Sequence, residues 1–391
     1  QSAGISLEVM SKMESLKQYL WDVREQLLAH SLYINPEEGI QTFADIFDRA
    51  TRAYHFPYRE VLLRKVEPYI PRLPVALKYE VNSRKVKASL DTGDYIEADR
   101  LTTQVLKDKS LAPQQRVDML IQHGNIKIRL GKLSEGKEKF EKAVRICKAG
   151  NDIRNLVPAL NARGWGYRQV GNIDKAIIDY QNALELSFST GDELRRAWIL
   201  NNLAYVYSQQ GRFNPALALC EQAKDIWKKI GFGRGMGALY EVYGHIYIKM
   251  GRYDEAMEYF QLALDEFKSR DVEWQSRIHA GLGFVYRMMK DRKNAERELK
   301  LALDYRIQKD RAMILHRMAH LQLEGGKIKK AKNLFEQSYE ASREISDAYH
   351  ELNNLGDLAK LAVGEKDFSN AARFEKLYQE YKTTWPDMTY S

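Results

Sequence analysis

The sequence predicts an all-α protein, an α-solenoid of about eight helical hairpins in a right-handed superhelix, preceded by a small helical segment. Three columns of residues lead there: a small residue in the second helix of each unit, a glycine at the turn, and a tyrosine one helical turn before it. The clearest unit is residues 237–264, GALYEVYGHIYIKMGRYDEAMEYFQLAL. Tyr240, Tyr243, Gly244 and Tyr247 recur at spacings of three and four, so they share one helical face. Gly251 ends that helix, because glycine accepts the left-handed conformation of a C-terminal turn. Ala256, Phe260 and Ala263 then mark one face of a second helix. Gly244 and Ala256 are small where two antiparallel helices would cross, and the rings fill the space beside them. Such a hairpin cannot bury its apolar face alone; it needs neighbours.

The columns supply those neighbours. The small residue recurs as Ala98, Gly136, Ala176, Ala216, Ala256, Ala295, Ala331 and Ala371, at intervals of 38, 40, 40, 40, 39, 36 and 40 residues. The turn column reads Gly93, Gly131, Gly171, Gly211, Gly251, Lys290, Gly326 and Lys366, and the tyrosine column Tyr167, Tyr207, Tyr247 and Tyr286. Eight units in register define a solenoid.

With those residues in place, the chain resembles the tetratricopeptide repeats over residues 77–391. Leu200, Leu203, Ala204, Tyr207, Gly211, Ala216 and Ala223 follow the family pattern, as does the unit at 237–264. The period departs from it, near 40 residues instead of ~34. About six extra residues would lengthen the two helices by ~9 Å in total. Where the family often closes its second helix with proline, Gly150, Gly191 and Gly231 stand here. Asp152 and Asp192 follow as expected N-caps of the next helix, a column continued by Asp271, Asp310 and Asp347. This long variety is similar to the repeats of kinesin light chains, of bacterial peptide sensors, and of sensor domains in signal-transducing ATPases.

Residues 1–76 stand outside the columns. Residues 5–32 read as one amphipathic helix, with Met10, Met13, Leu16, Leu20, Val23, Leu27 and Leu28 at helical spacing. Asn35 is placed to cap a second helix with Pro36 at its first position, carrying Ile40, Phe43, Ile46, Phe47 and Ala50. Phe56-Pro57 breaks it, a third helix runs to about Tyr69, and Pro68, Pro71 and Pro74 make a stiff joint. The segment is expected to cap the solenoid or to connect it to an upstream domain. The start, Gln1-Ser2-Ala3-Gly4, has neither a signal region nor an initiator methionine, as a fragment or a trimmed N-terminus would.

The 391 residues are ample for a buried core. No apolar run approaches the ~20 residues of a membrane span, so no membrane association is expected. Two cysteines are too few for a disulfide framework; Cys220 shares the column of Tyr180 and Phe260 and should be buried, while Cys147 sits late in an amphipathic helix. A reducing cytoplasm fits. Between Arg287 and Lys332 there are 14 Lys and Arg against 6 Asp and Glu, a net +8 equal to the whole-chain excess. A solvated face of two hairpins explains it; docking of nucleic acid, an acidic partner or another domain is the alternative, and nucleic acid ranks low.

No nucleophile, phosphate loop or metal motif emerges, so no catalytic residue, metal or cofactor is expected. The glycine cluster at 231–237 lacks the lysine and hydroxyl of a P-loop and reads as a flexible inter-repeat loop. His316 and His320 have the spacing of a zinc pair, but Glu324 at a further four residues is too distant to complete it.

The resemblance implies that the first helix of each hairpin lines a concave ligand surface. Counting the small residue as position 8, position 9 reads Asn125, Trp165, Tyr205, His245, Phe284 and His320, and position 5 reads Ile121, Asn161, Asn201, Glu241, Ala280 and His316. One turn on stand Arg129, Arg168 and Arg287, and position 2 adds Trp198 and Arg277. Asn can bond an extended peptide's amides twice and Arg can clamp a carboxylate. The competing reading is that the rings only pack neighbouring first helices together. The resemblance therefore implies a protein- or peptide-binding domain and not an enzyme. More finely, it implies the ligand-sensing part of a STAND-type signalling ATPase or transcriptional regulator, with an upstream ATPase or effector domain as a possible partner. A stand-alone peptide-responsive regulator or scaffold is the runner-up, and an RNA-binding helical-repeat protein the remote alternative.

Overall fold

The computed structural model describes residues 7–52, 56–130, 132–169, 171–267, 272–344 and 348–384. Regular structure among them is helical throughout. Gly131, Asp271 and Asp347, all named above, lie outside the described residues. The chain forms two compact units, Gln1–Met119 and Leu120–Ser391.

The first unit opens with helices α1 (Leu7–Ile34), α2 (Pro36–Arg52) and α3 (Phe56–Val66). Asn35 caps α2 as expected, its Oδ1 accepting the Glu37 amide at 3.1 Å. The prolines produce a 3-10 helix over Glu67–Arg72, then the first hairpin, α4 (Val75–Thr92) and α5 (Tyr95–Leu106). Phe43, Phe47, Leu62, Val66 and Val81 form a continuous core. Within it Tyr58 donates a hydrogen bond to the Trp21 carbonyl at 2.9 Å, and buried Arg59 pairs with Asp91 at 2.5 Å. The expected buried face of α1 needs correction. Leu28 is buried, but Leu16, Leu20, Val23 and Leu27 are exposed, and the helix packs through Trp21, Leu28 and Leu32. The core selects a stripe about a third of a turn away, because Trp21 fills the space over Tyr58 at 4.8 Å between ring centroids.

The division between units falls inside α6 (Pro113–Arg129). After it come α7 (Leu133–Ala149), α8 (Ile153–Gln169), α9 (Ile173–Thr190), α10 (Glu193–Gln209), α11 (Phe213–Ile230) and α12 (Gly233–Lys249). The series continues with α13 (Tyr253–Phe267), α14 (Val272–Met288), α15 (Arg292–Asp304), α16 (Gln308–Glu324), α17 (Ile328–Glu344), α18 (Ala348–Gly364) and α19 (Phe368–Thr384). Pairing consecutive helices from α4 gives the eight hairpins the columns require. Every alanine of the small column is buried, from Ala98 to Ala371. Gly93, Gly171, Gly211, Gly251 and Gly326 take positive φ, and so do the two lysines of that column, Lys290 at 63° and Lys366 at 59°.

Two details explain why the columns persist. The residue after the turn glycine donates its amide to the column tyrosine, Arg212 to the Tyr207 carbonyl and Arg252 to the Tyr247 carbonyl, both at 2.9 Å. The same guanidinium then lies over that ring, at 3.9 Å and 4.7 Å respectively. Second, a buried ring of the second helix wedges between consecutive first helices. A Cβ added to Gly244 on α12 or to Gly281 on α14 would each stand 2.7 Å from the Phe260 ring. Phe140 on α7 sits likewise against Gly124 and Gly166.

Three local expectations are revised. The glycine cluster is not a loop: α12 begins at Gly233, and Gly235 and Gly237 are buried against the rings of Trp227 and Phe267, where no side chain fits. Between α7 and α8 the left-handed residue is Asn151, φ 51°, not Gly150. Asp310 lies within α16, whose N-cap is Ile307; Asp152 and Asp192 do cap, accepting the amides of Asn155 and Arg195. Both cysteines are buried, and burial pushes the Cys147 thiol up to about 11 and raises Cys220 as well, so neither is a reactive thiolate at neutral pH.

Candidate functional site

The expected residues of the inner columns separate into those that meet one another and those that pack into the hairpins. At the centre, the Arg168 guanidinium of α8 lies 4.6 Å over the Tyr205 ring of α10. Tyr205 in turn stands edge-on to His245 of α12, at 5.7 Å between centroids. His245 backs onto the buried Phe260 wedge at 5.5 Å. One turn before His245, buried Glu241 pairs with Arg277 of α14 at 2.6 Å. Three consecutive first helices thus present Arg168, Tyr205 and His245 in contact, and Glu241 carries the line to a fourth. Asn201 lies one turn before Tyr205 and is only 5% exposed, yet its Oδ1 accepts no hydrogen bond among the described residues. A buried amide oxygen left unpaired is costly, here as at the Tyr180 hydroxyl and the Trp227 Nε1.

Arg129, at the end of α6, reaches a residue 144 positions on. Its Nη1 lies 2.7 Å from both carboxylate oxygens of Glu273 on α14, one turn before Arg277. Asn161 accepts a hydrogen bond from Asn202 at 3.0 Å, leaving its own amide donors for other partners.

Other members of the set are anchored in the hairpins. Trp165 packs on Phe140 at 6.4 Å, and Trp198 stands edge-on to Trp227 at 5.1 Å and to Phe232 at 6.3 Å. Phe284 lies between the guanidinium groups of Arg287 and Arg317, at 5.2 Å and 5.3 Å. Trp165 and Trp198 thus touch rings of the second helices, Phe140 of α7 and Trp227 of α11. Much of the basic segment is paired too: Lys332 with Glu365 at 2.7 Å, Lys300 with Glu296 at 3.0 Å, and Arg297 with Glu298 at 2.8 Å.

His316 and His320 of α16 turn their Nε2 atoms to one oxygen, Oδ2 of Asp357 on α18, each at 3.0 Å. Burial holds the His316 imidazole below its ordinary value, against the opposing hydrogen bond to Asp357. Burial alone would raise the Asp357 carboxyl, but the hydrogen bonds from both imidazoles outweigh it and hold it well below the usual carboxylate range. Glu324 takes no part, lying instead 3.8 Å from Arg287.

Sequence reasoning missed Asp357, Glu273 and Arg317. Asp357 had a signal: it follows Gly356, so it continues the position-9 column one repeat beyond His320. Glu273 had none, since its partner is four hairpins away and only the geometry of the stack brings them together.

The comparisons with known proteins agree with this architecture. The tetratricopeptide-repeat family model matches residues 158–229, 195–269 and 235–308, and this stretch of the chain consists of tetratricopeptide repeats. No curated protein sequence matches the chain closely enough to count as a relative. Among solved structures, the fold is similar to that of a Rap protein complexed with competence and sporulation factor. That match has a TM-score of 0.66 at 13% identity and covers 90% of this chain and 99% of the other. It is also similar to the Rap conjugation gene regulator of plasmid pLS20 in complex with the Phr* peptide, with a TM-score of 0.58 at 14% identity over 84% of this chain and 96% of that one. The apo form of the quorum sensor NprR from B. thuringiensis matches with a TM-score of 0.53 at 14% identity, covering 89% and 99%. Identities this low establish a shared fold. Among the described residues no helix is long and apolar enough to cross a membrane.

Proposed function

We propose that this protein binds an extended peptide or protein segment on the first helices of its central hairpins, at the surface formed by Arg168, Asn201, Tyr205 and His245. The observation that carries the proposal is Asn201, whose buried amide oxygen has no hydrogen-bond partner beside half-buried Tyr205. Turned toward the Tyr205 side, the Asn201 amide would bring that oxygen within reach of a peptide N–H, as Asn161 would offer donors to a peptide carbonyl one repeat earlier. Arg129, Arg277 and Arg168 add positive charge along the same helices, with Glu241 and Glu273 already engaging two of them. A peptide with an anionic side chain or terminus near Arg168 fits this pattern. The Rap conjugation gene regulator in complex with the Phr* peptide, which has a similar fold, supports binding on such a scaffold. The finer reading places this chain as the ligand-sensing part of a larger signalling protein of the STAND type. Its support is the repeat period near 40 residues and the helical lead-in over residues 1–76, and the complete reading frame tests it: without a nucleotide-binding domain encoded in the same frame, that reading is wrong.

The binding reading is tested by screening immobilised extended peptides, then titrating a hit calorimetrically. Truncating a ring at the centre of such a contact costs roughly 2 kcal/mol. Tyr205→Ala should therefore weaken binding about thirtyfold, and Asn201→Ala should weaken it as well. Trp165→Ala and Trp198→Ala should act mainly on stability. If Tyr205→Ala and Asn201→Ala both bind like the parent while folded, the ligand surface lies elsewhere.

A further inference from the structure

We propose that His316, His320 and Asp357 form a zinc site. The three ligand atoms come from two helices and already converge: both Nε2 atoms lie 3.0 Å from the same Asp357 oxygen, and all three atoms lie within 4.8 Å of one another. Zinc bound to nitrogen and oxygen at about 2.0–2.1 Å in tetrahedral geometry needs its ligands ~3.3 Å apart. Both nitrogen-to-oxygen separations are thus within a few tenths of an ångström of that spacing, and the imidazoles close on each other by small rotations.

The surroundings hold the ligands in place. Phe335 of α17 is fully buried and meets both rings edge-on, His316 at 5.4 Å and His320 at 5.1 Å between centroids. Lys360 stands 3.5 Å from Oδ1 of Asp357, the oxygen that faces away from the imidazoles. It thereby orients the carboxylate with Oδ2 toward them, as outer partners of metal-binding carboxylates do. Two imidazoles and one carboxylate, the ligand set found among the described residues, suit zinc better than calcium or magnesium, which require oxygen cages. The His320 side chain is 30% exposed, so the set opens to solvent on that side and a fourth position takes water or a ligand group. In metal-free protein the two imidazoles share Asp357 as hydrogen-bond donors.

The proposal is independent of peptide binding at Tyr205, so either can fail alone. Chelator-stripped full chain is titrated with zinc chloride calorimetrically at pH 7.5. One site of micromolar affinity or better is expected in the parent. Asp357→Asn and His320→Ala should each weaken it at least about tenfold, while His30→Ala, an exposed histidine of α1, should leave it unchanged. Cobalt(II) on the parent should give the intense visible absorption of a four-coordinate ion, a readout that needs no variant. Zinc should also raise the melting temperature of the parent and not that of Asp357→Asn. No binding by the parent, or a folded Asp357→Asn chain that binds zinc as tightly, overturns the proposal; the three residues are then a hydrogen-bonded cluster only.

Discussion

Helix α1 and the hairpin α12–α13 bury apolar residues by opposite logics. In α1 the apolar positions form two stripes. Leu16, Leu20, Val23 and Leu27 repeat at three and four residues and remain in solvent, with Leu16 59% exposed. Trp21, Leu28 and Leu32 form the stripe that packs. In α12–α13 the contact is set by absent side chains: Gly244 and Gly281 make notches for Phe260, and Ala256 allows the helices to approach. A single helix with two stripes does not say which one its neighbours will cover. A hairpin repeated eight times does, because every copy must solve the same contact.

The largest effect separating the two regions should come from charge placed on each expected face. Ala256→Glu puts a carboxylate where the parent residue is 0% exposed. It should cost at least about 3 kcal/mol, from overpacking and an unpaired buried charge. Leu16→Glu on α1 should change stability by less than about 0.5 kcal/mol. Thermal melts followed by circular dichroism check both. Equal losses would mean that the exposed α1 stripe is covered in solution.

The next effect contrasts the ion pairs. Arg59 is 1% exposed on the face of Phe47, so Asp91→Ala takes a carboxylate away from a buried cation and should cost about 3 kcal/mol. Asp179→Ala in α9 breaks a bidentate pair with Arg163 at 2.7 Å, but that arginine keeps 20% of its side chain in water. The loss there should be nearer 1–2 kcal/mol. Urea denaturation of both variants measures the difference, and the comparison breaks if Asp179→Ala is the more damaging.

How much was legible follows from the same contrast. The eight hairpins, the buried alanine column and the left-handed turn positions could be read because errors at one repeat are corrected by the next. Lys290 and Lys366 were placed in the turn column by register alone, against their own preference, and both adopt positive φ. The glycines at 233–237 were misread because glycine signals either a loop or a close approach, and only the Trp227 and Phe267 rings decide between them. Along the first helices the columns set Arg168, Tyr205 and His245 side by side, and these side chains meet. They did not reveal that Trp198 is held by Trp227 and Phe232, since both rings come from a segment outside the first-helix pattern. Arg129 with Glu273 is the extreme case, a contact fixed by the accumulated geometry of four hairpins.

The wedge predicts an intermediate effect. Gly244→Ala sets a methyl 2.7 Å from the Phe260 ring, which is itself held by Gly281 on its other side and cannot retreat. The cost should be about 1–3 kcal/mol despite the higher helix propensity of alanine. A stabilised Gly244→Ala variant in a melting experiment would show that the ring has room to move.

The smallest effect has the opposite sign and tests the turn column where glycine is missing. Lys366 adopts φ 59° between α18 and α19, a conformation in which its Cβ crowds the following carbonyl. A left-handed residue with a side chain carries a penalty of roughly 1 kcal/mol that glycine escapes. The neighbouring hydrogen bonds, Lys366 amide to the Val363 carbonyl and Asp367 amide to the Ala362 carbonyl, are backbone contacts that glycine keeps. Lys366→Gly should therefore stabilise the last hairpin by up to about 1 kcal/mol, reduced by the greater freedom glycine brings to the unfolded chain. Hydrogen exchange of the α18 and α19 amides is the measurement suited to a terminal repeat, which can open without the rest of the stack. Slower exchange confined to these helices is the expected outcome. Unchanged or faster exchange would mean that the lysine gains as much from its surroundings as its backbone loses.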